Sequence, residues 1–189
     1  MNIDLKHKLF EQCLHDMKDI LDKCNQHFFL CCGTLLGQQR ENNFIAYDED
    51  IDIGIINTKY NPNILLYILQ SKKFQVHSIY GNVENSLEIS FRHITGVKID
   101  IFIFYPILNE KDYYYIATFN GICNTKPEGF CKWARHIRGF KEITFKGKIY
   151  NIPNNAEEYL IETYGSDWKT PKQFSYWEAL AGECKNMMN

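Results

Sequence analysis

The sequence lacks any long apolar run, and with it the main mark of a membrane protein. No stretch approaches the roughly 18 uninterrupted apolar residues of a spanning helix, and the opening MNIDLKHKLF spreads charges where a signal peptide would be apolar. No asparagine occupies the N-x-[ST] pattern of a glycosylation acceptor. We therefore expect a cytoplasmic chain without a membrane span.

The chain also lacks an excess of positive charge. Its 21 Lys and Arg residues nearly balance 23 Asp and Glu residues, which leaves a formal net charge of −2. Proteins that hold nucleic acid through its phosphates carry a basic surplus, so we expect no nucleic-acid partner. A small ligand with a phosphate group needs only a few local charges and is not excluded.

The seven cysteines include no CxxC pair, a spacing typical of zinc and redox motifs. An odd number leaves at least one thiol unpaired in a monomer. Reduced and mostly buried thiols in a cytosol-like compartment explain this usage. A zinc site that draws on Cys13, Cys24, Cys31 or Cys32 stays open, because their spacing does not specify one.

No internal repeat, low-complexity block or Pro/Gly/Ser-rich linker divides the 189 residues, and 45% of them are hydrophobic. This favours one domain over residues 1–189. Helical and strand-like apolar periods alternate along the chain, which predicts an α+β or mixed α/β domain. The expected helices cover 5–24, 35–40, 64–72, 130–137, 154–164 and 175–184. The expected strands cover 28–32, 74–80, 87–94, 97–105 and 113–119, with a hairpin over 143–152.

One short stretch combines an acidic and an apolar alternation. Asp48, Asp50 and Asp52 are each two residues apart, and Ile51 and Ile53 fill the positions between and after them. On a strand the aspartates share one face and the isoleucines point into a core. Three neighbouring carboxylates repel one another unless a cation relieves them, and a hard divalent metal such as Mg²⁺ does so. The alternative is a solvated acidic edge strand.

A further carboxylate stands in the most apolar run of the chain. Asp100 lies in VKIDIFIF, where its burial is costly unless it is paired or bound to a metal. It either forms a salt bridge with Lys98 or Arg92, or lies beside Asp50 and Asp52 and completes a cluster. Three carboxylates from two strands are the minimum for two-metal phosphoryl transfer.

A glycine turn precedes the acidic stretch. Gly33 and Thr34 close a strand-like run, and a helix is expected to begin directly afterwards. Small residues let the backbone approach a phosphate, and the free N–H groups of a helix start favour an anion. Alone this signal is weak, but the acidic strand that follows strengthens it.

These segments together resemble the LicD family. The resemblance rests on GTLLG at 33–37, on Arg40, on FIAYDEDIDI at 44–53 and on YGSDWKTP at 164–171. It covers about residues 28–171. The family includes bacterial phosphorylcholine transferases and the animal fukutin and fukutin-related ribitol-phosphate transferases, within the nucleotidyltransferase-fold superfamily. It implies a mixed central β-sheet with flanking helices.

The resemblance also implies roles for individual residues. Asp50, Asp52 and Asp100 would bind Mg²⁺ or Mn²⁺ and carry catalysis, with Asp100 as a further candidate for the base. Asp48 would orient metal-bound water or lie just outside the ligand set. The expected substrate-binding residues are Gly33, Thr34, Gly37, Arg40 and Asp48, of which Arg40 would neutralise phosphate charge.

The implied activity is a metal-dependent transfer of a phospho-group from a CDP-linked donor to a sugar hydroxyl of a glycan or glycoconjugate. The group would be phosphocholine or a phospho-alditol. A usual member has Pro-Trp where this chain has Ala46-Tyr47, which affects substrate preference more than the reaction. The alternatives are a nucleotidyltransferase that passes NMP to a small acceptor, and an inactive, binding-only member of the fold.

Several later residues remain open between binding and packing. A basic group follows residue 130, and it either presents cations to a ligand or forms a solvated helix face. Trp133 and Trp168 either stack on a base or a choline-like group, or pack in the core. The basic group consists of Lys132, Arg135, His136 and Arg138.

Overall fold

The computed structural model describes residues 2–119, 129–172 and 187–188. The helices are α1 (Ile3–Lys23), α2 (Cys32–Glu41), α3 (Ile64–Gln70) and α4 (Ala156–Tyr164). The first strands are β1 (Phe29–Leu30), β2 (Asp50–Ile56), β3 (Phe74–Tyr80), β4 (Glu88–His93) and β5 (Lys98–Pro106). The later strands are β6 (Tyr113–Thr118), β7 (Cys131–His136), β8 (Phe140–Phe145), β9 (Lys148–Pro153) and β10 (Met187–Met188).

The strands form one mixed sheet. Its order is β10-β7-β6-β5-β2-β1-β9-β8, and β4 pairs with β5 and carries β3 on its other side. The pairs β2–β5 and β1–β9 are parallel, and the other neighbours are antiparallel. The mixed central sheet with flanking helices confirms the expected α+β class.

The centre of the sheet is buried on both faces. In β2 the apolar Ile51, Ile53 and Ile55 are fully buried, and in β5 the same holds for Ile99 and Ile101. Central parallel strands have nearly continuous runs of β-branched residues in their sequence, because other layers of the protein cover both of their faces. The buried apolar residues of β2 and β5 therefore fix the positions of the acidic residues on the same strands.

Helix α1 covers one side of this frame. The side chain of Asn2 caps it by accepting a 2.8 Å hydrogen bond from the Asp4 N–H, and Lys23 lies in its last turn. Its buried positions recur at three- and four-residue steps, as the sequence predicted. They are Phe10, Cys13, Leu14, Met17, Ile20 and Leu21.

Two sequence expectations need correction. Residues 130–137 were expected to be helical, but β7 pairs with β6 in regular antiparallel register from Tyr113↔His136 to Thr118↔Cys131. The strand expected over 28–32 ends early, because helix α2 already begins at Cys32. The expected helix over 175–184 lies outside the described residues.

The cysteines also depart from expectation. Cys131 is disulfide-bonded, so the thiols are not all reduced, whereas Cys13, Cys24, Cys31 and Cys32 are free. A disulfide is typical of oxidising compartments and weakens the expectation of a reduced cytosolic chain. In the described part of the chain, no cluster of three potential metal ligands contains a cysteine, so the zinc alternative gains no support.

None of the helices among the described residues is long and apolar enough to cross a bilayer.

Candidate active site

The acidic residues meet where β2 and β5 begin. The two strands are parallel neighbours with Asp52 paired to Asp100 and Asp50 paired to Lys98. Side chains alternate along strands, so these four side chains share one face of the sheet. The expectation that Asp50, Asp52 and Asp100 lie on adjacent strands is confirmed.

Three aspartates converge at this face. Each of Asp48, Asp50 and Asp52 offers a carboxylate oxygen, and these oxygens lie within 4.8 Å of one another. Asp48 precedes the first residue of β2 and reaches the group from the preceding loop. Because β2 lies between β1 and β5, the alternative of a solvated edge strand is wrong.

The cluster brings three carboxylates together, with Asp52 buried and Asp48 and Asp50 half-buried. Burial, and after it the charge of Asp50, raise the pKa of Asp48 to about 7. The same two causes raise the pKa of Asp52 well above its ordinary value. Asp48 and Asp52 therefore keep protons more readily than ordinary carboxyls unless a cation replaces those protons. Hard divalent ions take carboxylate oxygens at about 2.0–2.6 Å, so oxygens this close fit a shared ion.

Asp100 is held by two neighbours. Its Oδ2 accepts from Lys98 Nζ at 2.9 Å, and its Oδ1 accepts from Ser90 Oγ at 2.6 Å. The Lys98 ammonium also lies 3.0 Å from Asp50 Oδ2 and so bridges the two aspartates. Burial raises the pKa of Asp100, although Ser90 and Lys98 act to lower it. The ion-pair partner of Asp100 is Lys98 and not Arg92, because Arg92 donates to the Gly96 carbonyl.

Gly33 and Thr34, in the first turn of α2, form hydrogen bonds with the acidic cluster. The Gly33 N–H donates to Asp52 Oδ2 at 2.8 Å, and the Asp52 N–H donates to Thr34 Oγ1 at 2.8 Å. A Cβ on Gly33 would collide with Asp48 Oδ2 and lie 3.1 Å from Asp52 Oδ2. Gly33 is thus required for close approach, and the Thr34 hydroxyl holds the start of β2.

The residue before Gly33 has an uncommon backbone. Cys32 has φ of 45°, in the left-handed region that glycine favours. Its N–H donates to the Tyr159 hydroxyl at 3.4 Å, which ties the start of α2 to α4. The first turn of α2 therefore lies against both the acidic cluster and α4, with its positive helix end towards the carboxylates.

Two expected substrate-binding residues lie away from this turn. Gly37 faces the loop after α2, where a Cβ would meet the Asn43 carbonyl at 2.5 Å. Arg40 is in the last turn of α2, about 10 Å along the helix from Gly33, and its Nη2 pairs with Glu41 Oε1 at 2.6 Å. The structure brings Gly33, Thr34 and Asp48 to the cluster, whereas Gly37 lies in the middle of α2 and Arg40 in its last turn.

Sequence reasoning missed Glu88, at the start of β4. Ser90 of β4 pairs with Asp100 and Glu88 pairs with Phe102, so Glu88 faces the same side as Asp100. Burial, and after it the charge of Asp100, raise the pKa of Glu88 to about 7. In the sequence, polar residues at 88 and 90 alternate with apolar ones. This pattern predicts a shared face but does not show that β4 pairs with β5.

Arg135 does not lie on a solvated helix face. It is in β7 and only 3% exposed, with its guanidinium 5.1 Å from the centre of the Tyr159 ring and its Nη1 donating to Thr163 Oγ1 at 2.8 Å. Among the described residues its Nε has no hydrogen-bond partner, and no carboxylate forms an ion pair with it. A buried cation therefore lies behind the first turn of α2, one side chain from Cys32.

The other basic and aromatic candidates have local partners. His136 pairs with Glu162, and Arg138 forms an exposed ion pair with Glu158. Trp168 is buried at 7% exposure, as the packing alternative predicted. None of these contacts points to the acidic cluster.

Comparison with known proteins identifies the family. The family model described as "LicD/FKTN/FKRP, nucleotidyltransferase domain" matches residues 25–155, which include the α2 turn, the acidic cluster and Asp100. The chain belongs to this family. The LicD resemblance stated from the sequence is thereby confirmed, and the LicD domain accounts for all of the central sheet from β1 to β9.

Individual relatives share most of this domain. The ribitol-5-phosphate transferase FKTN of Homo sapiens is 32% identical over 158 residues, which is 84% of this chain and 32% of the relative. Protein T07A5.1 of Caenorhabditis elegans is 34% identical over 164 residues, 82% of this chain and 41% of the relative. The chain thus spans about a third of the length of FKTN. The lincosamide adenylyltransferase LnuA superposes over 92% of each chain at TM-score 0.45 and 15% identity.

Proposed function

We propose that this LicD domain is a metal-dependent transferase that moves a phospho-group from a CDP-linked donor to a sugar hydroxyl. The observation that carries the proposal is the convergence of Asp48, Asp50 and Asp52 beside the first turn of α2. FKTN, a relative at 32% identity, is named as a ribitol-5-phosphate transferase, and this favours a phospho-alditol over phosphocholine.

In the proposed site, the aspartates bind the metal, and Gly33 and Thr34 position them. Asp48, Asp50 and Asp52 would hold Mg²⁺ or Mn²⁺, which when bound neutralises phosphate charge and polarises the P–O bonds. Gly33 fixes Asp52 through its N–H and leaves room for the carboxylates. Thr34 holds the backbone of Asp52, so the ligand set is positioned before a donor arrives.

The positive end of α2 completes the donor site. The helix dipole favours an anionic group near this end, while the Cys32 and Gly33 N–H groups already donate to Tyr159 and Asp52. The acidic cluster would repel a diphosphate without its metal, so the donor is expected to bind only as a metal complex. This makes metal dependence a property of donor binding as well as of turnover.

The test is a donor panel with two readouts. Purified protein is incubated with CDP-linked alditols, CDP-choline and other NDP-linked donors, a sugar acceptor, and Mg²⁺ or Mn²⁺. We expect release of CMP that requires metal and is lost in Asp52→Asn. Asp22→Asn, which alters an exposed aspartate of α1, is the matched control and should be unaffected.

A second candidate has its own support. The matching family model is described as a nucleotidyltransferase domain, which favours transfer of NMP with release of pyrophosphate. The same assay with nucleoside triphosphates separates the two reactions, because pyrophosphate instead of CMP would identify this one. Metal-dependent donor binding without either product would show a binding-only domain and contradict the proposal.

A further inference from the structure

The place between Asp50 and Asp100 is taken by a side chain of the protein itself. The Lys98 ammonium lies 3.0 Å from Asp50 Oδ2 and 2.9 Å from Asp100 Oδ2. A metal ion that bridged the same two oxygens would have to displace it. We propose that Lys98 is a built-in cation in the place of a second metal ion, so that the domain without nucleotide binds a single divalent ion.

The oxygens of Asp100 leave little room for a metal. Lys98 holds Oδ2, and Ser90 donates to Oδ1 at 2.6 Å, so both oxygens are engaged by groups of the protein. Asp100 is also only 4% exposed. The role of Asp100 is therefore to anchor Lys98, and this differs from the metal-ligand role that the family resemblance implies.

The position of Lys98 is set by the sheet. Lys98 is the first residue of β5 and pairs directly with Asp50 of β2, while Asp100 follows two residues later on the same face. Both strands are central and their apolar residues are fully buried. Lys98 therefore reaches both carboxylates from a fixed backbone.

The remaining oxygens suit one ion. Asp52 Oδ2 accepts the Gly33 N–H and Asp50 Oδ2 accepts Lys98, and each carboxylate keeps further lone pairs for a metal. Asp48 adds an oxygen within 4.8 Å of the other two residues. Three carboxylate oxygens with water or phosphate in the other positions make a complete site for Mg²⁺ or Mn²⁺.

The proposal rests on the metal binding proposed above, and counting bound ions tests the two separately. Mn²⁺ is titrated into nucleotide-free protein, and bound ions per chain are counted by electron paramagnetic resonance and calorimetry. We expect one ion in the wild type. Two ions in the wild type would overturn the inference, whereas none, with or without a donor, would instead contradict metal dependence.

Variants of Lys98 test whether its side chain excludes a second Mn²⁺ ion. Lys98→Met frees Asp50 and Asp100, so we expect a second Mn²⁺ to bind, while Lys98→Arg keeps the charge and should keep one ion. Arg92→Met removes a neighbouring cation that contacts neither aspartate and is the matched control. A Lys98→Met protein that still binds one ion with wild-type affinity would show that Lys98 excludes nothing.

A second pair of variants does not depend on the folding of Lys98→Met. Asp52→Asn removes a ligand and should weaken Mn²⁺ binding at least about tenfold. Asp100→Asn should leave one bound ion at close to wild-type affinity, because Asp100 is not a ligand in this arrangement. An equal loss of Mn²⁺ affinity in both variants would return Asp100 to the ligand set and refute the proposal.

Discussion

The protein holds charge in two regions near the start of α2, and the charges have different partners in each. In the first, Lys98 contacts only Asp50 and Asp100 of the four aspartates, so negative charge is in surplus. In the second, Arg135 has no carboxylate among the described residues and is held by the Tyr159 ring and the Thr163 hydroxyl.

The difference separates a binding site from a structural element. A surplus of buried like charge is unstable on its own and is relieved by an exchangeable cation, which suits function. The single guanidinium of Arg135 lies over an aromatic ring and donates to a hydroxyl, so fixed partners hold it, and only its Nε is without one among the described residues. We therefore expect changes on the acidic side to affect metal and turnover, and changes on the Arg135 side to affect stability.

The largest expected effect is on the acidic side. Asp52→Asn keeps the size of the side chain and an acceptor for the Gly33 N–H, but it removes the charge that holds a metal. We expect turnover with a verified donor to fall at least about a hundredfold. Initial rates of CMP release measure it. Unchanged turnover would move the reaction away from this cluster.

A smaller effect is expected from crowding the cluster. Gly33→Ala places a methyl group against Asp48 Oδ2, so that carboxylate must move and the metal site is distorted. We expect Mn²⁺ affinity to fall about tenfold, as for other changes that misalign metal ligands. Gly147→Ala, at a hairpin position with open space and positive φ, is the control. It should cost stability but leave Mn²⁺ affinity unchanged.

On the Arg135 side we expect a change in stability alone. Arg135→Met leaves Thr163 Oγ1 without its donor and removes the cation over the Tyr159 ring. The expected loss is about 1–3 kcal/mol in the free energy of unfolding, measured by urea denaturation. If donor binding fell while stability and Mn²⁺ affinity were unchanged, Arg135 would be a ligand-binding residue and the contrast between the two regions would fail.

The last expected effect is the dependence of stability on pH. Burial raises the pKa of Asp48 and of Glu88 to about 7, above their ordinary values of 3.8 and 4.5. The folded state therefore holds protons that the unfolded state has released, so metal-free stability should fall as pH rises from about 4 to about 7. Thermal melts should show this as a Tm that is lower at pH 7 than at pH 4.

Two changes should weaken the dependence of stability on pH. Saturating Mn²⁺ should remove much of the drop, because metal takes the place of the protons on Asp48. Glu88→Gln should flatten the remaining slope, because the amide does not titrate. Metal-free stability that rose steadily over this range would show that these carboxylates are already ionised in the folded protein.

The sequence predicted the acidic face because alternation alone decides which side chains share a side of a strand. Asp50 and Asp52 needed only the period of two, and Asp100 needed only its apolar surroundings. The sequence did not predict that Lys98 faces Asp50, since this depends on the parallel register between β2 and β5. Register is a property of two segments together and is invisible within either.

The wrong expectation for β7 has a similar cause. Phe130, Trp133, Ala134 and Ile137 are spaced three and four residues apart, which is the period of a helix face. The segment instead pairs with β6, and the ladder of backbone hydrogen bonds outweighs a weak local preference. The basic residues of this segment were misplaced with it, so the burial of Arg135 was not foreseen.

The contact between Cys32 and Tyr159 has a consequence for how the chain folds. It joins residues 127 apart in the sequence, and β1 reaches its parallel partner β9 over a similar distance. Such long-range pairing must precede a complete site and is slow compared with local structure. The domain should thus acquire metal affinity late in refolding. A chain ended at residue 155, where the family match stops, should lose it.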